Sequence, residues 1–268
     1  MTTAVTAGGR PAPSRRRSDR VVPDQHGAWG FLLLPVALGL AVGGWSPAQL
    51  ALVGAWVAAY PLTWALTGVL AAPRPRRYHR ALVVWSVVAV PAAGAAAVLR
   101  PWLLYVGAAY VALFLVNLWF ARQRRERALT NDLLLVTECT AMVPVVVGVA
   151  AAGGWAVPVT AMTEPEVLVL ALACGLTLVG STLHVKSLIR ERRNPRYARA
   201  SRWFAVASVA AMTAVVTLTA VGALLVVPFL ALAARAFVVR DPRMRPARIG
   251  LVELAGLAVL VGCASFAV

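Results

Sequence analysis

Residues 181–195, STLHVKSLIRERRNP, hold one imidazole, one carboxylate and a run of cations within a single short stretch. Helical spacing sorts them: His184, Ser187 and Glu191 fall on one face, and Thr182, Lys186, Arg190 and Arg193 fall roughly opposite. Lys186 is the only lysine in the chain. Two long cations one turn apart, Lys186 and Arg190, can hold a phosphate or a carboxylate. The plain alternative is that they snorkel towards anionic headgroups and only fix topology. Glu191 and Asn194 add a carboxylate and an amide at the same end, where Pro195 is expected to stop the helix.

A second cluster opens the first apolar segment, PDQHGAWG at 23–30. Asp24 suits a helix N-terminus, Trp29 suits an interfacial aromatic belt, and Gly27 and Gly30 let another helix or a ligand approach the backbone. His26 has no such routine role. A third cluster begins at Thr130 with Asn131 and Asp132 and continues to Glu138. Eight helical rises from Thr130 carry Glu138 ~12 Å along its helix, at a depth where an unpaired carboxylate is expensive. It is expected to face protein and to have a partner; Asn131, seven residues earlier, shares nearly its face. The candidate ligand-binding set is His26, Trp29, Asn131, Glu138, His184, Lys186, Arg190, Glu191 and Asn194. Of these, His26, Lys186, Arg190 and Glu191 are expected to converge on one anion-binding pocket. Asn117, Arg235 and Glu253 make the same half of the bundle polar.

No catalytic residue, cofactor or metal ligand is assigned. The chain has no P-loop, H-E-x-x-H or G-x-S-x-G motif and no paired aspartate-rich runs. Cys139, Cys174 and Cys263 stand alone in apolar stretches and read as packing residues.

The elements that must carry these residues are membrane helices. Of 268 residues, 60% are hydrophobic and 13% charged, a balance for a bilayer rather than a soluble core. Residues 1–22 read as a disordered basic cytoplasmic arm, and 23–268 as one transmembrane domain. Candidate spans are roughly 28–45, 48–72, 81–99, 102–121, 130–152, 166–188, 203–219, 221–239 and 249–267. Nine spans, starting inside, place every one of the 26 Lys and Arg residues except Arg100 on or beside cytoplasmic segments. The expected protein is therefore all-α and multi-pass in a bacterial plasma (inner) membrane, with the N-terminus in the cytoplasm and the C-terminus outside. The net charge of +16 belongs to those loops rather than to a nucleic-acid interface.

An Arg-Tyr-x-Arg-Ala pattern occurs twice, at Arg77-Tyr78-His79-Arg80-Ala81 and Arg196-Tyr197-Ala198-Arg199-Ala200, each after a proline. The offset spans an even number of helices, so a duplication would give two parallel pseudo-repeats.

Residues 23–35 (PDQHGAWGFLLLP) and 184–195 (HVKSLIRERRNP) together resemble the YwiC-like family of bacterial integral membrane proteins. The similarity in layout runs over the whole membrane domain. It implies class and location rather than an activity. More distantly, the layout resembles the UbiA-type intramembrane prenyltransferases, whose nine-helix bundle has key cytoplasmic loops after helices two and six. That resemblance implies a prenyl diphosphate held through magnesium on two aspartate-rich motifs. This chain departs from it, because residues 60–72 contain no carboxylate and the sixth helix offers only Glu191 among cations at its cytoplasmic end. A degenerate relative would hold the anion directly with Lys186 and Arg190.

The leading reading is a cytoplasm-facing pocket for an anionic lipid or a phosphorylated metabolite, with catalysis left open. The rivals are a small proton-coupled secondary transporter using Glu138 and His184, and a non-enzymatic assembly partner of another membrane complex. Beyond membrane lipids, no protein partner is named.

Overall fold

A computed structural model describes residues 21–23, 26–151, 153–241 and 244–267; the arm up to residue 20, Asp24, Gln25 and the side chain of His26 lie outside the described residues. The described chain is helical, with no strand. Its helices are α1 (His26–Gly43), α2 (Pro47–Ala71), α3 (His79–Leu99), α4 (Leu103–Arg122), α5 (Leu129–Ala151), the single-turn α6 (Val159–Met162), α7 (Pro165–Leu188), α8 (Pro195–Leu218), α9 (Val227–Val238) and α10 (Pro246–Ala267). Short 3-10 turns, Pro75–Tyr78 and Ala223–Val226, lead into α3 and α9.

Prolines mark the starts: Pro47, Pro165, Pro195 and Pro246 each open a helix, where the missing N–H is harmless. Ser46 caps α2 by accepting from the Gln49 N–H at 3.3 Å, and Asn194 caps α8 by accepting from the Arg196 N–H at 3.1 Å. Pro195 thus begins α8 instead of stopping the preceding helix. α7 ends earlier, at Leu188, where the Glu191 N–H folds back to the Lys186 carbonyl at 2.7 Å. For the same reason α8 starts eight residues before the expected 203, and its first turns carry Arg196, Arg199 and Arg202.

Among the described residues, seven helices are long and apolar enough to cross a membrane, and Gly27–Gly43 and Ala223–Val238 form two shorter apolar helices. The chain is a multi-pass membrane protein in a lipid environment. Exposed apolar side chains such as Val87, Val98 and Leu218 face outward along the helices, as lipid contact requires.

Two apolar cores share α1 and α5. One joins Leu34, Leu38 and Val143 to α7, α8, α9 and α10 through Leu170, Met212, Phe229 and Leu260. The other joins Val36, Leu40 and Val146 to α2 and the α3–α4 turn through Leu52 and Trp102. α1 and α5 pack so closely that a Cβ on Gly39 would lie 2.6 Å from Val146 Cβ. Successive long helices are neighbours, and α10 returns to pack on α1.

Hydrogen bonds fix which helix ends share a side. Trp85 Nε1 donates to the Val21 carbonyl at 2.7 Å, joining the start of α3 to the chain just before α1. Lys186 pairs with Asp132, and Arg235 with Glu253, so the ends of α7 and α9 meet the starts of α5 and α10. At the other side, Arg100 Nε donates to the Val149 carbonyl at 2.7 Å and the Gly222 N–H to the Ala267 carbonyl at 2.9 Å. Among the described residues, the Arg-rich loops therefore collect on one side, and Arg100 lies on the other. The Arg-Tyr-x-Arg-Ala echoes both lie on the basic side. The first folds as a 3-10 turn into α3, whereas the second is continuous α-helix.

Candidate functional site

α7 carries two polar faces, as its spacing dictates. On the face towards α5, Lys186 is only 5% exposed. Its Nζ pairs with the Asp132 carboxylate and donates to the Arg127 carbonyl at 2.8 Å. Arg190, one turn later and half-exposed, reaches the same carboxylate at 4.0 Å. Asp132 sits in the first turn of α5, where the helix dipole also favours an anion. Sequence reasoning named Lys186 and Arg190 but missed Asp132 as their partner. The available signal was a lone lysine and an aspartate expected at the same depth on facing helix ends.

On the opposite face, His184 is 2% exposed and lies within electrostatic reach of Arg235. Arg235 on α9 and Glu253 on α10 form a buried ion pair, and Ser181 sits beside the Glu253 carboxylate. Burying two charges is tolerable only when each neutralises the other, and removing one partner leaves the other stranded. His184 and Lys186 are thus separated by the body of α7.

Between α7 and α8 the chain curls around an open cup of about 640 Å³ lined by Ile189, Arg190, Glu191, Arg192, Arg193, Asn194 and Pro195. The turn is held by its own backbone: the Asn194 N–H donates to the Glu191 carbonyl at 2.8 Å, and Asn194 then caps α8. Three guanidinium groups and one carboxylate on so short a loop make a cationic concavity, suited to planar, multidentate oxyanions.

The remaining candidates lie elsewhere. Glu138 accepts from Asn117 Nδ2 at 2.6 Å, and Tyr110 donates to the Glu138 carbonyl at 2.6 Å, so this carboxylate is served by α4. It has the expected protein partner; Asn131, on nearly the same face of α5, donates its amide to the Glu126 carbonyl at 3.0 Å. Trp29 meets Tyr60 edge to face with ring centroids 5.3 Å apart. The structure brings together Lys186, Arg190, Glu191 and Asn194. It leaves Glu138, His184 and Trp29 in three other environments. The convergence of His26 on this group lies outside the described residues. No group of three or more His, Cys, Asp or Glu able to hold a metal occurs among the described residues.

Known proteins place this arrangement in a family. The profile of the YwiC-like protein family matches residues 22–147. An uncharacterized protein, YwiC, from Bacillus subtilis (strain 168) is 32% identical over 184 residues, covering 66% of this chain and 71% of its own length. An uncharacterized protein from Haemophilus influenzae is 28% identical over 239 residues, covering 89% of this chain and 94% of its own. No solved structure matches. The match to B. subtilis YwiC includes most of both chains, and with the profile match it shows that this chain belongs to the YwiC-like family.

Proposed function

We propose that this protein spans a bacterial plasma membrane nine times with its basic side in the cytoplasm, and that the α7–α8 cup binds an anionic lipid or a phosphorylated metabolite. The observation that carries the reading is the cationic concavity itself, with Arg190, Arg192 and Arg193 around a volume of about 640 Å³. Lys186 is not a free cation in this picture. It holds Asp132 and so ties the end of α7, just before the cup, to α5, while the arginines meet the ligand. The layout, with successive helices as neighbours and the key loop after the sixth long helix, is UbiA-like as two parallel pseudo-repeats. Without aspartate-rich motifs, the anion is held by guanidinium groups rather than through magnesium.

The test is native mass spectrometry of the purified protein, titrated separately with phosphatidic acid and with inorganic pyrophosphate. Each charge-assisted hydrogen bond lost should cost about 1.5–3 kcal/mol. The double variant Arg190→Ala/Arg193→Ala should therefore weaken one of the two probes at least tenfold, with Arg100→Ala unchanged as the control. Equal binding by all three proteins would overturn the proposal. Tighter phosphatidic acid marks a lipid headgroup, and tighter pyrophosphate marks a soluble phosphate.

A proton-coupled transporter is the second reading, favoured by one observation: an ion pair and an imidazole are buried together at the basic ends of α7, α9 and α10.

A further inference from the structure

Three polar atoms at the junction of α7, α9 and α10 make no hydrogen bond to any described protein atom: Thr177 Oγ1, His184 Nε2 and Arg235 Nε. These residues, and Ser181 and Glu253 beside them, are all more than nine-tenths buried, Thr177 and Ser181 entirely so. Residues 177, 181 and 184 share one helical stripe, ~10 Å long, that runs inward from the basic end of α7. Ser181 hydrogen-bonds the Glu253 carboxylate, and His184 is within electrostatic reach of Arg235.

A buried donor or acceptor left without a partner is costly, and the cost grows with each one. Lipid offers no compensating partner. The chemistry of the set selects its occupant. Arg235 Nε–H only donates, the Glu253 carboxylate only accepts, and the two hydroxyls and the imidazole nitrogen can do either. An anion would satisfy the arginine but repel the carboxylate, and a cation would do the reverse. Water satisfies both.

We infer that α7, α9 and α10 enclose a hydrated proton-relay site, with water joining the His184 imidazole to the Glu253 carboxylate and the Ser181 and Thr177 hydroxyls extending the file inward. The step moves one proton and no electrons. A proton from the basic end forms an N–H bond at His184 Nε2. That bond then breaks towards water, which releases another of its protons to Glu253 Oε1. Glu253 ends as the neutral acid, with the imidazole and the water restored. The charged groups around the site are few. Arg235 faces it from α9, and Lys186 with Asp132 lies across α7. Arg196, Arg199 and Arg202 stand at the basic end of α8, and the described side chains of α1 carry no charge. The proposal is independent of the anion cup and survives its failure.

Two measurements on the full-length protein in liposomes test it. The first is hydroxyl-radical footprinting, which oxidises side chains in contact with water. Buried His184 should react at a rate comparable with exposed His79, while the equally buried Met212 in the apolar core stays inert. The second is acid-minus-neutral infrared difference spectroscopy in H2O and D2O. A protonated-carboxyl band should appear, shift in D2O, vanish in Glu253→Gln and survive in Glu138→Gln. Should Glu253→Gln fail to fold with Arg235 stranded, Ser181→Val keeps the ion pair and should slow both His184 oxidation and deuterium exchange of the band. An unreactive His184, or a band indifferent to D2O and to Ser181→Val, would overturn the relay.

Discussion

Asp132 and Lys186 show how much of a site one residue's spacing can reveal. The helical repeat of residues 181–195 separates His184 from Lys186, and the structure keeps them on opposite faces of α7. The partners were not legible, because Asp132 lies more than fifty residues away and meets Lys186 only when α5 and α7 pack together. Glu138 was readable in part: its depth demanded a polar neighbour, but the choice of Asn117 over Asn131 depends on where α4 stands. Breaking the Asp132 pair tests its structural role. Asp132→Asn should lower stability by roughly 1.5–3 kcal/mol, the range for charged hydrogen bonds, measured by thermal unfolding in detergent. The double change Asp132→Leu/Lys186→Met should recover most of that loss, since apolar replacement of a largely buried pair is often neutral. A double variant as unstable as the sum of the singles would show that the two residues act separately. For the more deeply buried pair, Glu253→Ala should be worse than Arg235→Met/Glu253→Leu, by the same measurement.

Element boundaries were legible wherever apolar length and punctuation agree. The break expected near 219–222 coincides with the end of α8 at Leu218 and the 3-10 turn Ala223–Val226. Where a proline stood in a basic run, the reading failed: Pro195 looks like a stop but is a start, because Asn194 supplies the cap that makes it the first helical residue. Glycines in α1 offer a test of packing at this scale. A side chain at Gly39 meets Val146 and the Val143 carbonyl, whereas one at Gly27 meets nothing within 4 Å. Gly39→Val should therefore destabilise by about 1–3 kcal/mol through overpacking against α5, while Gly27→Ala stays neutral or slightly stabilising. Equal melting temperatures for the two variants would mean that the α1–α5 contact is not tight.

At the scale of the whole molecule, the alternation of Arg-rich and Arg-poor segments gave the sidedness that the cross-helix hydrogen bonds reproduce. Span count was less legible, since α1 with 18 residues and α9 with 12 fall short of the ~20 residues a crossing takes. Topology can be read in cells with a membrane-impermeant maleimide in a Cys263→Ser background. Glu164→Cys should label in intact cells, whereas Arg125→Cys and Arg192→Cys should label only after permeabilisation. The reverse pattern would invert the orientation, and a mixed pattern would change the number of crossings.

The two polar faces of α7 also have a mechanical meaning. One face is fastened to α5 through Lys186 and Asp132, and the other points towards the Arg235–Glu253 pair that clamps α9 to α10. Adding or deleting one residue in a helix turns everything beyond it by ~100°, so α7 tolerates no slip in phase. It works as a keyed shaft, and α1, α5 and α7–α10 must move as one block. The other limb, α2–α4, is joined to that block by the second core, where Leu52 and Trp102 meet Val36, Leu40 and Val146. There α3 buries only Ala81, Ala89 and Ala96, α4 buries only Leu103, Leu118 and Ala121, and the two helices barely touch each other. Lacking a grip on each other, α3 and α4 take their places from the block and from α2, with Tyr110 and Asn117 both anchored at Glu138 on α5.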